Sequence, residues 1–260
     1  MYRSLINELT KIFKSKKVYI LTVLIIFLSA AAAYILKRIL AENPAAAEMT
    51  NALSYPAFFL GQIGALVFPF IIIIQNSNII SDDYKEGTLK QTLLCPVTRS
   101  ELLASKMLAV LLTNVYFLLM TLTASYIFGA VFLDSDRGYL LQGINIAASA
   151  GFTANLRFYA IMLIPSTVLG LLTLLISLFC KNSGVSVSIS ISLHLIQLAM
   201  QSIVDKVRPY LITTYFSIGS AFLKTDFSKY MFSMLTVLGL YFIVILIVGF
   251  VNINKRDILY

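Results

Sequence analysis

The chain has 260 residues, 59% of them hydrophobic and 12% charged, where a soluble domain carries about 25% charged residues. That composition excludes a soluble globular domain. A net charge of +8 would point to nucleic acid in a soluble protein, but basic loops beside anionic lipid account for it here, and no nucleic-acid partner is expected.

In chain order, the segment before the first apolar run, "YRSLINELTKIFKSKK", sets Leu5, Ile6, Leu9, Ile12 and Phe13 on one helical face, with Lys11 and Lys14 towards the other. That spacing predicts an amphipathic helix lying at a membrane surface. Six runs without Asp, Glu, Lys or Arg follow, at 18–36, 57–80, 107–133, 158–180, 184–204 and 230–253. Each is long enough to cross a hydrocarbon core of about 30 Å as a helix. A single charge at such a helix centre would cost roughly 2.5–3.5 kcal/mol. Strands of a membrane barrel would instead alternate in segments of about ten residues. The first run contains "LSAAAAY", which looks like a signal cleavage site, but its 17-residue polar lead and 19-residue core are too long for one.

With the N-terminus inside, twelve Lys and Arg fall on cytoplasmic segments and eight outside. This favours cytoplasmic termini and a plasma-membrane location. Cys95 and Cys180 then both lie at the cytoplasmic side, where thiols stay reduced. The second span carries Gly61, Gly64 and Pro69. Between the second and third spans, seven of the twenty residues 82–101 are charged. Asp82 and Asp83 suit a helix start, Cys95-Pro96 a stop, and Ser100 an N-cap for the helix that follows. A simple connector needs only a few residues, so this one reads as a surface for another molecule to grip.

Further along, Asn114, Thr121 and Ser125 share a face of the third span. Ser166, Gly170, Thr173 and Ser177 share one of the fourth, below an expected kink at Pro165. In the fifth, Ser186, Ser190, His194, Gln197 and Gln201 fall within about 80° of arc. Two roles fit these rows: helix packing through small and polar groups, or a water-facing translocation path. The α-helical stripe of the fifth span, with Asn114 and Thr121, is the candidate path. His194 by itself reads as a hydrogen-bonded interior residue. Outer segments 134–157 and 205–229 are long for simple turns. The second mixes aromatic and basic residues as an interfacial belt does, or dips inward as short helices covered by protein.

Catalysis finds little support. The lone histidine has no carboxylate at metal-ligand spacing, and neither a His-Glu-x-x-His nor a Gly-x-Ser-x-Gly sequence occurs. Gly138 and Gly143 have phosphate-loop spacing, but Ile144 and Asn145 stand where Lys and Ser or Thr are required. No catalytic, metal or cofactor residue is therefore assigned. The reading is one all-α membrane domain over residues 1–260, with six transmembrane helices, an N-terminal interfacial helix and a long outer segment before the last span.

The stretch "DYKEGTLKQTLLCPVTRSELLASK" resembles the cytoplasmic segment after the second span in type-2 ATP-binding-cassette permeases. The matching positions are Glu86, Gly87, Thr88, Leu89, Leu93, Pro96, Arg99 and Lys106. The resemblance implies a coupling helix docking onto a separate cytoplasmic ATPase subunit, with Asp83, Glu86, Gly87, Thr88, Lys90, Pro96 and Arg99 as its coupling residues. It also implies ATP and Mg on that partner, a second permease copy or a paralogue, and export of an amphipathic or hydrophobic substrate such as an antimicrobial peptide, drug or lipid-like molecule. The competing classes are a non-transporting sensor or scaffold, and an ion channel or secondary transporter. The latter would usually carry ionisable residues in its spans.

Overall fold

The computed structural model describes residues 2–42, 50–85, 98–134, 138–141, 144–180, 182–217 and 227–255. The expected amphipathic segment is helix α1 (Tyr2–Lys14). A break at Ser15 leads into α2 (Lys16–Glu42). Along α2, Val18, Leu21, Thr22, Ile25, Ser29, Ala33 and Leu36 are buried at spacings of three and four, against α5 (Arg99–Phe132). Tyr19, Ile20, Val23 and Phe27 of its other face are exposed. An apolar outer face is what lipid selects.

Five helices among the described residues are long and apolar enough to cross a membrane: α2, α5, α6 (Ala148–Phe179), α7 (Ser183–Ile203) and α8 (Phe227–Lys255). A sixth crossing exists only if two shorter helices count as one span. Residues 57–80, expected as one continuous helix, form α3 (Tyr55–Ile63) and α4 (Val67–Lys85), bent by 67°. Packing at Gly64 fits a break here. A Cβ on Gly64 would lie 2.6 Å from Met162 Cε and 3.1 Å from the Phe216 carbonyl oxygen. Pro69 stands in the first turn of α4, where its missing N–H costs nothing.

Helices α4, α5 and α6 form the centre, with α7 and α8 against them. Helix α6 runs unbroken through Pro165 and starts at Ala148, ten residues before the apolar run that predicted it. The segment ahead of it pairs Tyr139–Leu141 (β1) with Ile144–Ile146 (β2) in an antiparallel hairpin. This is the only β-sheet among the described residues. After α7, Arg208–Tyr210 and Ile212–Phe216 form short 3-10 turns. Ile212, Thr213, Tyr215 and Phe216 are buried against α6 and α7, whereas Tyr210 is exposed as an interfacial aromatic would be.

Two helix boundaries differ from expectation. The cap of α5 is Thr98, not Ser100. Thr98 Oγ1 accepts from the Glu101 N–H at 3.2 Å, and the Glu101 carboxylate accepts from the Thr98 N–H at 3.2 Å. Only Thr98 stands three residues before the glutamate, the offset this reciprocal pairing requires. Asp82 and Asp83 do not open a new helix, because α4 runs on to Lys85. Extending a formed helix adds a hydrogen bond per residue without a second nucleation cost.

Candidate functional site

The end of the helices that carries α1 is built around a buried charge. Lys106, entering the apolar part of α5, donates to the Glu8 carboxylate of α1 at 2.9 Å and to the Ile79 carbonyl of α4 at 3.0 Å. Glu8 and Lys106 are 3% and 2% exposed. Ser4 and Ser105 add a hydrogen bond of 2.9 Å between α1 and α5. Helix α1 is thereby fastened to both arms that carry the segment between the second and third spans. Of the residues tied by resemblance to ATPase coupling, Glu86, Gly87, Thr88, Lys90 and Pro96 lie outside the described residues. Asp83 stands in the last turn of α4 and Arg99 is the first residue of α5.

The candidate path residues divide into two groups. Asn114 belongs to a central network: Asn76 Nδ2 of α4 donates to Asn114 Oδ1 at 3.2 Å, and Asn114 Nδ2 donates to the Ser166 carbonyl at 3.0 Å. Gly170 makes room for this network, since a Cβ there would lie 2.7 Å from Asn76 Nδ2 and 2.8 Å from Val110 Cγ1. Ser177 donates to the Ser77 carbonyl at 2.9 Å, so the small-residue row of α6 seats it closely on α4. Thr121 is buried, and its hydroxyl returns to the Phe117 carbonyl at 2.8 Å.

The second group is the α7 stripe. Ser186, Ser190 and His194 are the buried residues of α7, while Val185, Ile189, Leu195, Ile196 and Ile203 point outward. This helix is polar inside and apolar outside, the pattern a membrane helix needs when its inner face meets protein or water. Gln197 and Gln201 are half-exposed further along the same face. His194 Nε2 lies 3.0 Å from the Ala65 carbonyl, at the break between α3 and α4. Its ring stands edge-on to Phe70 and Phe216, with centroids 6.0 and 6.2 Å away. The histidine thus closes a carbonyl at the break of the second span, where an unsatisfied backbone group in hydrocarbon would cost several kcal/mol.

At the opposite end, polar side chains rivet the hairpin down. Asn51 Nδ2 donates to the Gly138 carbonyl and Ser54 Oγ to the Leu140 carbonyl. Tyr139 donates to Asn155 Oδ1 at 3.1 Å, and Asn155 Nδ2 donates to the Leu53 carbonyl at 2.8 Å. Burial pushes the Tyr139 hydroxyl up to about 12, with the nearby Tyr126 adding to the shift.

Sequence reasoning missed three of these features. Glu8 was hidden in a helix read as a surface element, and Asn155 in a segment read as an outer loop. Asn76 sits in "QNSN" (75–78), the polar cluster inside an otherwise apolar span, and that clustering was a usable signal. Among the described residues, no group of His, Cys, Asp and Glu is placed to hold a metal ion.

A search of curated proteins returned no match. The family described as ABC-2 family transporter protein matches residues 4–197, from within α1 to within α7, and so takes in the Glu8–Lys106 pair, the broken span and the stripe as far as Gln197. The chain belongs to the ABC-2 family of transporter proteins and is a multi-pass membrane permease component.

Proposed function

We propose that the chain is the membrane subunit of an ATP-driven exporter in the plasma membrane, with both termini cytoplasmic, working as a dimer of permeases with a cytoplasmic ATPase. ATP and Mg are held by that partner. The segment running from Asp83 through Glu86, Gly87, Thr88, Lys90 and Pro96 to Arg99 is its docking surface. An amphipathic or hydrophobic substrate passes along the α7 stripe Ser186, Ser190, His194, Gln197 and Gln201. The observation that carries this reading is the inverted polarity of α7. A helix buried through two serines and a histidine, against a span broken at the same level, is poorly suited to serve as inert wall. Alternating access would part α7 from the α3–α4 break as the ATPase closes.

The test is ATP-driven transport by the permease–ATPase complex in proteoliposomes. Replacing Ser190 and Gln197 together by Leu should abolish transport while leaving complex assembly and basal ATP hydrolysis near wild type. Unchanged transport removes the path. Loss that tracks reduced dimer yield or thermal stability assigns the stripe to packing instead. ATP hydrolysis without movement of any substrate favours a sensor.

A further inference from the structure

The stripe carries hydrogen-bonding atoms that no described residue satisfies, and their chemistry can be worked out atom by atom. Ser186 Oγ, Ser190 Oγ and His194 Nδ1 are buried without a partner, as are Asn76 Oδ1 on α4 and Thr213 Oγ1 in the second 3-10 turn. This is not the usual behaviour of hydroxyls in this chain. Thr113, Thr121 and Thr173 return theirs to their own helix four residues back. So does Ser188 on the exposed face of α7, donating to the Gly184 carbonyl at 2.9 Å. Ser186 and Ser190 of the same helix leave theirs unspent on its buried face.

Two of the unpartnered atoms have a fixed role. The Ala65 carbonyl can only accept, so His194 Nε2 must carry the proton, and in the neutral ring Nδ1 is then an acceptor. Likewise the Ser166 carbonyl can only accept. Asn114 Nδ2 must therefore face it, Asn114 Oδ1 must accept from Asn76, and Asn76 Oδ1 is left as the acceptor without a donor. Asn76 lies about 9 Å along α4 from Phe70 but about 120° round the helix from it, against Asn114 and Gly170. Its open oxygen therefore belongs to the central network, and the stripe's own fixed acceptor is His194 Nδ1, facing α4 beside Phe70. A buried acceptor left without a donor carries the full cost of its lost hydration, which a donor on a bound molecule would recover. The buried formal charges among the described residues are Glu8 and Lys106, bound to each other at the end that carries α1. No buried cation stands ready for an anion.

We infer that the α7 stripe is a binding site for an uncharged hydrogen-bond donor: an amide or hydroxyl group of the transported molecule. This rests on the reading of α7 as a path lining. It narrows the substrate class, because an exposed amide or hydroxyl meets acceptors here, while a phosphate, carboxylate or ammonium head meets none of the counter-charges it needs.

His194 is the sole histidine of the chain, so permease labelled with 15N-histidine and placed in nanodiscs reports on this site alone. The probes are decanamide, N,N-dimethyldecanamide and decyl phosphate, which share a tail and differ in donor and charge. Decanamide should shift the Nδ1 resonance saturably, and loss of the donor should weaken the response about tenfold, the worth of one hydrogen bond. Decyl phosphate should leave it unmoved, and the shift should also weaken in Ser190→Ala, which removes only the hydroxyl. A proton found on Nδ1, indifference to all three probes (a seam holding only water), or an equal response to decyl phosphate overturns the inference. Adding the ATPase and ATP separates the two readings. A donor response that persists unchanged during turnover leaves the donor site standing but takes it off the path.

Discussion

The pair Glu8–Lys106 allows a prediction with a worked magnitude. Both groups are almost fully buried, and their charged atoms stand 2.9 Å apart. At an effective dielectric of about 20, that separation is worth about 6 kcal/mol of Coulomb attraction, much of it offset by the loss of hydration. Removing Glu8 takes away a carboxylate held 2.9 Å from a buried ammonium; Lys106 keeps the Ile79 carbonyl as an acceptor, yet a buried pair broken on one side is costly. Glu8→Gln should therefore cost about 3–5 kcal/mol. Lys11, 3.8 Å from the other Glu8 oxygen and partly exposed, cannot compensate.

The cost falls on the docking of α1, which is held to α5 by this pair and by Ser4–Ser105. Hydrogen exchange of the α1 amides should accelerate by about 10²- to 10³-fold, or to the rate of an undocked helix if that comes first. The double variant Glu8→Leu with Lys106→Met should recover most of the protection, since a well-packed apolar pair replaces a buried ion pair at little cost. If Glu8→Gln alone keeps wild-type protection, the charges are hydrated and the burial argument fails. Should the double variant be as unprotected as the single one, the pair matters for its geometry rather than for its charge.

Two further outcomes follow from local geometry. Gly170→Ala should destabilise by about 1–3 kcal/mol in detergent melts, since its Cβ would meet Asn76 Nδ2 at 2.7 Å and Val110 Cγ1 at 2.8 Å, whereas Gly61→Ala, with nothing within 4 Å, should be neutral or slightly stabilising; equal effects would refute the close packing of α4 on α6. Burial pushes the Tyr139 hydroxyl up to about 12 from an ordinary 10.0, so the neutral phenol is favoured and its stabilisation of the hairpin is complete below pH 10 and lost as pH rises through the folded value; the tyrosinate titration of Tyr139→Phe should have one late-titrating group fewer than that of the wild type.

Most of the architecture was legible because lipid imposes a simple rule. A helix with no charge over 20 residues has one stable place, so five of the six apolar runs became single long helices. The exceptions have local causes. The run 57–80 broke because Gly64 is pressed between Met162 and the Phe216 carbonyl, and the second of these neighbours comes from a segment more than 150 residues further along the chain. No pattern within the run announces that contact. The cap at Thr98 was legible in principle, since Thr-x-x-Glu is written in the sequence, and Ser100 misled only by standing nearer the apolar run. Glu8 shows the opposite limit. Its neighbours mark an amphipathic helix correctly, but periodicity gives the face a residue occupies and not the charge waiting opposite.

The rows of polar residues were equally visible in the third, fourth and fifth spans, yet they do not serve alike. In α5 and α6 the groups are spent: Thr121 and Thr173 on their own helices, Asn114 on Asn76 and Ser166, Ser177 on the Ser77 carbonyl. Spacing in the sequence cannot distinguish a spent group from an open one, because the acceptor that consumes it lies on another helix. In α7 the same spacing yields two serines with no partner and a histidine that uses one nitrogen to close the broken span while leaving the other open. Spent rows hold α4, α5 and α6 as a rigid centre. The open row lies where α7 meets α4, and α7 buries little else. Among the described residues, the His194 hydrogen bond is what ties the buried face of α7 to the broken span, while parting α4 from α6 would break an interlocked network. If the membrane domain has a joint that moves, the energetics place it along this stripe.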